Sequence, residues 1–266
     1  MSLIKDCINE NEIRKNLKSD LKLSFKIFDT IDSTNTAAKK YAIEGLEEGL
    51  VVISSHQTAG RGRMGRRFSS PDNTGIYMSI LLKPQINPEN TVLITTAAAV
   101  AVSKAIEKLS GKKTDIKWVN DILIDSKKVC GILTEGQINP SGKGIDFAIL
   151  GIGINVYSPE NGFDEDIKDI AGFIFEQENE NLKSKLIAEI LNNFSFYYNN
   201  ILEKEYFDYY KSHCFVIGKE VFVLKNGKTE LDGTVLDLDK DFRLSVKLKN
   251  GEEKYISSGE ISVKIK

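Results

Sequence analysis

The sequence predicts an α/β fold of the α+β type: a mixed β-sheet with helices packed on one face, followed by a small C-terminal β-barrel of SH3-like size. Three observations predict it. Apolar runs of strand length alternate with two long helical patterns through the first four-fifths of the chain. From Gly218 onward the pattern changes to short alternating strands separated by Asn-Gly and Asp-Lys-Asp turn signals. A length of 266 residues with 41% hydrophobic residues is enough for one large core and a small appendage. The expected division is an N-terminal arm over residues 1–20, a large domain over 21–215 and the barrel over 216–266.

Residues 1–20 carry many charges and one short apolar stripe, Ile8, Ile13 and Leu17. They read as a marginal helix or an arm, too few for a helix-turn-helix. Alternation at Leu23, Phe25 and Ile27 predicts a strand over residues 21–28, and Asp32-Ser33-Thr34-Asn35 opens a helix with Ser33 or Asp32 as its N-cap. Strands are expected at residues 50–55 and 76–82. A helix over 88–109 starts at Pro88, carries the run Ala97-Ala98-Ala99 and stops at Gly111, so it should lie deep against the sheet. Further strands are expected at 115–120, 122–124, 129–135 and 147–156, then an amphipathic helix over 181–205. The barrel strands fall at 221–224, 234–236, 244–248 and 255–256.

Between the second and third strands lies Gly60-Arg61-Gly62-Arg63-Met64-Gly65-Arg66-Arg67, three glycines and four arginines with no acid among them. Glycine lets backbone N–H groups approach a ligand, and each guanidinium offers a planar fork for carboxylate or phosphate oxygens. The segment therefore points to an anionic substrate. It is neither a Walker loop nor a dinucleotide fingerprint. Its glycines cost entropy to order and its arginines repel one another, so it is expected to be mobile until an anion arrives.

The net charge of −2 argues against a chain-wide nucleic-acid surface and for a focused anion site. Cys7, Cys130 and Cys214 lack zinc spacing and are expected to be buried free thiols. His56 and His213 have no neighbouring metal-ligand partner. No apolar run of signal-peptide or membrane-spanning length appears, so a cytoplasmic protein without membrane contact is expected.

Taken together, several segments resemble the biotin protein ligase family. They are Ser33-Thr34-Asn35, Gln57-Thr58-Ala59 leading into the glycine-arginine loop, Lys117-Trp118-Val119-Asn120-Asp121, Gly131-Ile132-Leu133-Thr134-Glu135 and Gly151-Ile152-Gly153-Ile154-Asn155, all in the family's order. Gly259-Glu260-Ile261-Ser262 is similar to its last-strand signature. The resemblance implies a ligase that joins biotin and ATP, with Mg²⁺, into biotinyl-5′-adenylate and pyrophosphate. It then transfers biotin to one lysine of a biotin carboxyl carrier domain.

The resemblance further implies that Ser33, Thr34, Asn35, Gln57, Gly60, Arg61, Gly62, Arg63 and Lys117 bind biotin. Arg61, Arg63, Arg66, Asn120 and Asn155 would meet ATP or the adenylate, and Asp121 is a weaker candidate for Mg²⁺. Lys117 and Arg63 are the expected catalytic cations, placed to bring two anions together. Val119 replaces the family's usual proline, Phe68 a frequent tryptophan and Lys264 a frequent arginine. The DNA-reading region of the family's repressor branch is missing, so DNA is not an expected partner, while a homodimer is compatible with the resemblance. A lipoate or octanoate protein ligase or transferase of the same fold remains open, as does a non-catalytic biotin-binding regulator.

Overall fold

A computed structural model describes residues 6–18, 21–139, 144–225, 228–257 and 261–265 of the chain, the side chains of 261–264 excepted. Gly259 and Glu260 of the last-strand signature, and the side chain of Lys264, lie outside that description. The elements run α1 (Glu10–Asn16), β1 (Ser24–Ile31), α2 (Thr34–Ile43), β2 (Leu50–Gln57), β3 (Gly75–Leu82), α3 (Thr91–Ser110), β4 (Asp115–Lys117), β5 (Asp121–Ile124), β6 (Lys127–Ile138), β7 (Ile145–Asn155), α4 (Leu182–Asn199) and α5 (Phe207–Ser212). The C-terminal strands are β8 (Glu220–Lys225), β9 (Lys228–Leu238), β10 (Leu244–Leu248), β11 (Glu253–Ile256) and β12 (Ile261–Ile265).

The first seven strands form one mixed sheet in the order β1-β2-β3-β7-β6-β5-β4, in which only the β1–β2 pair is parallel. Its strands obey the period of two that puts alternate side chains on opposite faces. Val51, Ile53, Met78, Ile80, Leu150 and Ile152 join α3 and α4 in the main core, whereas Leu50, Val52, Leu81 and Ile149 pack against Ala38 of α2 on the other face. The expected mixed sheet is thus found, with α3 and α4 layered on one face and α1 against α4. The placement of helices on one face needs one correction: α2 lies on the opposite face, held by its own small apolar patch.

The long buried helix α3 ends where Gly111 takes φ 69°, a left-handed cap that favours glycine. Ser33 caps α2 as expected, its hydroxyl accepting from the Thr36 N–H at 3.4 Å. In α1, Asn9 accepts from two backbone N–H groups and Ile13 is fully buried, so the arm docks on α4. One strand expectation and one helix expectation shift. The region around 115–120 is a short strand followed by a turn, with Trp118–Val119 a cis peptide, because Asn120 bonds back through its N–H to the Lys117 carbonyl at 3.2 Å. The helix expected over 181–205 stops at Asn199, and α5 follows as a separate element.

The C-terminal strands make a five-stranded antiparallel sheet in the order β11-β10-β9-β8-β12. Val221, Val223, Val235, Phe242, Leu244 and Val246 belong to the same core as the large sheet, so the two are packed as one body of apolar contacts. Among the described residues no helix is long and apolar enough to cross a membrane. Cys130 and Cys214 are buried as expected, but Cys7 is exposed.

Candidate active site

The α2 face of the large sheet carries the site, and glycines shape it. Gly131 and Gly153 face one another across β6 and β7, and Gly151 lies two residues before Gly153 on β7. A Cβ at Gly151 would come within 2.1 Å of Asn35 Oδ1, and one at Gly153 within 2.5 Å of the Phe68 ring. The missing side chains therefore let the start of α2 and the end of the glycine-arginine loop come down onto the strands.

The first cleft lies above this floor and is lined by Thr34, Asn35, Gln57, Arg61, Gly62, Arg63, Phe68, Tyr77, Asn120, Lys128, Gly131, Ile132, Leu133, Gly151, Ile152 and Gly153. Its polar end is a closed network. The Thr34 N–H and hydroxyl donate to Gln57 Oε1 at 2.8 and 3.2 Å, and Gln57 Nε2 donates to Ser70 Oγ at 3.0 Å. The Ser79 hydroxyl lies 2.8 Å from Thr34 Oγ1 and 2.6 Å from Asn35 Oδ1, while Asn35 Nδ2 donates to Glu135 at 2.8 Å. Such buried, mutually held groups are pre-set to meet a small polar ring.

Two of the four arginines are held by acceptors within the protein. Arg61 pairs with Glu135 at 2.9 Å and Arg63 donates to Asn120 Oδ1 at 2.9 Å. Asn120 Nδ2 in turn donates to the Ile132 carbonyl at 2.9 Å and to Asp121 at 3.1 Å. These acceptors offset part of the mutual repulsion on which the expected mobility of the loop rests. Burial pulls the Arg63 guanidinium below its ordinary value, nearby Asp121 opposing the shift, and a guanidinium stays charged through such a change.

A second cleft opens on the other side of Phe68 and Lys128 and is lined by Arg66, Arg67, Lys117, Asp121, Leu123, Asn155 and the apolar residues Phe163, Ile167, Ile170 and Phe215. The sequence-predicted residues are thereby divided. Thr34, Asn35, Gln57, Arg61, Gly62, Arg63 and Asn120 share the first cleft, whereas Arg66, Lys117, Asp121 and Asn155 line the second. Ser33 caps α2 without lining either, and Gly60 supports the loop from behind, where a Cβ would lie 2.5 Å from the Phe68 carbonyl. Asn155 Nδ2 donates to the Gly172 carbonyl at 3.0 Å.

Lys128, which the sequence reading did not single out, and Phe68, noted there in place of a frequent tryptophan, join the clefts. Lys128 lines both, with Nζ 2.7 Å from Asp121 and 5.9 Å from the centroid of the Phe68 ring, and Phe68 is the wall between them. Lys128 faces the clefts because the β5–β6 register slips: Leu123 pairs with Lys128, but Ile122 pairs with Cys130. The extra residue, Val129, reverses the alternation, so Lys128 and the core residue Cys130 point to opposite faces. A lysine three residues before the Gly-Ile-Leu-Thr-Glu run was the available signal, but a bulge leaves no trace in the pattern.

Asp121 accepts from both Lys128 and Asn120, and no three His, Cys, Asp or Glu residues converge on a metal position among the described residues. A divalent ion here would draw most of its oxygens from a bound phosphate group, with Asp121 the nearest carboxylate of the second cleft.

The model of the biotin/lipoate A/B protein ligase family matches residues 27–155, and that of the biotin protein ligase C-terminal domain matches residues 216–264. The chain is 40% identical over 204 residues to the bifunctional ligase/repressor BirA of Bacillus subtilis, covering 76% of this chain and 60% of that protein. It is 27% identical over 235 residues to the biotin–[acetyl-CoA-carboxylase] ligase of Mycobacterium tuberculosis, covering 86% of this chain and 85% of the relative. Among solved structures, the biotin protein ligase from Aquifex aeolicus in complex with biotin and ATP aligns with a TM-score of 0.76 at 28% identity, covering 92% of this chain and 100% of the other.

Proposed function

The chain belongs to the biotin/lipoate A/B protein ligase family, and on that premise we propose that it is a biotin protein ligase, activating biotin with Mg·ATP and transferring it to a lysine of a biotin carboxyl carrier domain. The observation that carries this reading is a pair of clefts sharing one cation, Lys128. The first suits a small bicyclic ring with polar edges: Thr34, Asn35 and Gln57 face its ureido group, and the apolar walls take its thiophane ring and valeryl chain. The second, with Arg66, Arg67, Lys117 and Asn155, suits a nucleotide triphosphate.

The biotin carboxylate then lies at the junction, where it must attack the α-phosphorus of ATP and expel pyrophosphate. Two anions meet there, and a fixed ammonium between them lowers the cost more than it would in water. We assign that role to Lys128 in place of Lys117, with Arg63 beside it; Lys117 serves the phosphates of the second cleft. Mg²⁺ enters with ATP as the counter-ion of its phosphates. In the second half-reaction the carrier amine attacks the carbonyl carbon and AMP leaves.

A lipoate or octanoate ligase uses a linear acyl chain that has no use for the Thr34–Gln57–Asn35 network, which favours biotin within this family. The test is a mass spectrum of a carrier domain incubated with the chain, biotin and Mg·ATP, with lipoate as competitor. A single added biotinyl group, undiminished by excess lipoate, is expected. Labelling by lipoate in preference to biotin would overturn the assignment.

A further inference from the structure

The β9–β10 connection of the small sheet, residues 239–243, reaches into the large domain, and we propose that it is a positioning element of the active site. Through Phe242 it holds the 118–120 segment, and through Asn120 it holds Arg63, in the arrangement that keeps the acyl-adenylate from water. This rests on the ligase reading above.

The loop is shaped from within. The Asp239 carboxylate accepts from the N–H groups of Asp241 and Arg243 and from Arg243 Nε, and the Phe242 N–H donates to the Asp239 carbonyl. That folding leaves Phe242 at φ 58°, a left-handed conformation costly for a bulky side chain. The ring is 1% exposed, with Tyr206, Phe207 and Tyr210 at centroid distances of 5.6, 5.4 and 5.1 Å. A strained backbone at a loop tip, fixed by burial on the other domain, is built to put one atom in one place.

That atom is the Phe242 carbonyl oxygen, which accepts from Trp118 Nε1–H at 2.9 Å. Tyr210, one of the residues enclosing the ring, donates its hydroxyl to the Val119 carbonyl at 3.1 Å. Two successive residues are thus fastened to the Phe242 cluster, and the next, Asn120, accepts from Arg63 at 2.9 Å. Phe242 lines neither cleft, so it touches no reacting atom and acts only through this relay. Docking of the small sheet has separate support from the Lys204–Asp241 and Lys211–Asp237 ion pairs.

Loosening the relay should let Arg63 swing away and admit water. Water then attacks the acyl carbon, the bond from that carbon to the phosphate oxygen breaks, and biotin, AMP and a proton are released without transfer. The full chain is compared with Trp118→Phe, which removes the Nε1–H but keeps an apolar ring, with Phe242→Ala, and with Phe242→Leu, which keeps an apolar plug. AMP formed per carrier lysine biotinylated is measured beside pyrophosphate release.

That ratio should rise about five- to tenfold in Trp118→Phe and Phe242→Ala, the loss expected for one positioning hydrogen bond, and return toward wild type in Phe242→Leu. A merely structural role would slow pyrophosphate release and leave the ratio unchanged; that result in Trp118→Phe overturns the proposal, even if Phe242→Ala fails to fold. If wild type releases no pyrophosphate with biotin and Mg·ATP, the ligase reading itself fails instead.

Discussion

Replacing Lys128 by alanine removes the one ammonium that lines both clefts, and the structure sets the size of the effect. Unit charges about 4 Å apart interact by roughly 4 kcal/mol at the effective dielectric of a partly exposed protein site. Removal of a single pre-set donor at a developing charge commonly costs about 10²–10³ in rate. Lys128→Ala should therefore slow biotin-dependent pyrophosphate release by about 10²–10³. Stability should change little, because the Lys128–Asp121 pair is 33% and 23% exposed, and pairs of that kind contribute about 1 kcal/mol or less. Lys117→Ala, one cleft away from the carboxylate, should cost less than about tenfold and act mainly on the KM for ATP. Both variants are assayed under identical Mg·ATP and biotin series. A larger loss of turnover in Lys117→Ala than in Lys128→Ala would refute the assignment and restore Lys117 as the bridging cation.

Gly151→Ala should raise the KM for biotin by about tenfold or more, since its Cβ would displace Asn35 from a 2.1 Å approach; an unchanged KM in steady-state assays would remove Asn35 from the biotin site. Arg63→Gly should, per adenylate formed, biotinylate an unrelated lysine-rich protein more than wild type does, and equal bystander labelling would end the retention role of the loop. Burial pushes the Glu107 carboxyl up, but the Thr114 N–H, the Tyr209 and Thr114 hydroxyls and His213 outweigh it and leave it below its usual 4.5. The resulting stability is present above pH 4.5 and lost as pH falls through the lowered value, so Glu107→Gln should flatten the acid limb of Tm against pH. Under native conditions a thiol reagent should modify Cys7 alone, because burial pushes the Cys214 thiol up to about 12 and raises Cys130 further; rapid labelling of Cys130 would contradict its place in the core.

Much of the site was legible because its residues occupy short segments whose types declare their chemistry. Thr34, Asn35, Gln57, Arg61 and Arg63, spread over a helix start, the end of one strand and a loop, do converge. The glycines at 151 and 153 were readable as places of close approach, and the neighbours that approach are Asn35 and Phe68. What remained hidden depends on register and on contacts distant in sequence. Lys128 reads as one of two lysines after a tight turn, and only the unpaired Val129 turns it into the cleft. The second face of the sheet was missed because α2 has a narrow apolar stripe, with Ala38 its one fully buried hydrophobic residue. The link from Phe242 to Trp118 spans 124 positions, and nothing local to either residue marks it.

The internal pairing of the cations has its own consequence for how the site works. Arg61 is held by Glu135, Arg63 by Asn120 and Lys128 by Asp121, so Arg63 donates to a neutral amide while the other two cations pair with carboxylates. A carboxylate or phosphate entering the clefts must compete with Glu135 and Asp121 for Arg61 and Lys128, whereas at Arg63 it competes with the Asn120 amide and with the attraction of nearby Asp121. Burial is the largest influence on Arg63, with nearby Asp121 opposing it. An anion placed against it is therefore worth more than one placed against an exposed arginine, where water screens the pair. The geometry thus separates two tasks that one arginine-rich loop would otherwise confuse: Arg61 and its carboxylate hold the loop's shape, and Arg63, through an acceptor it can exchange, responds to the ligand.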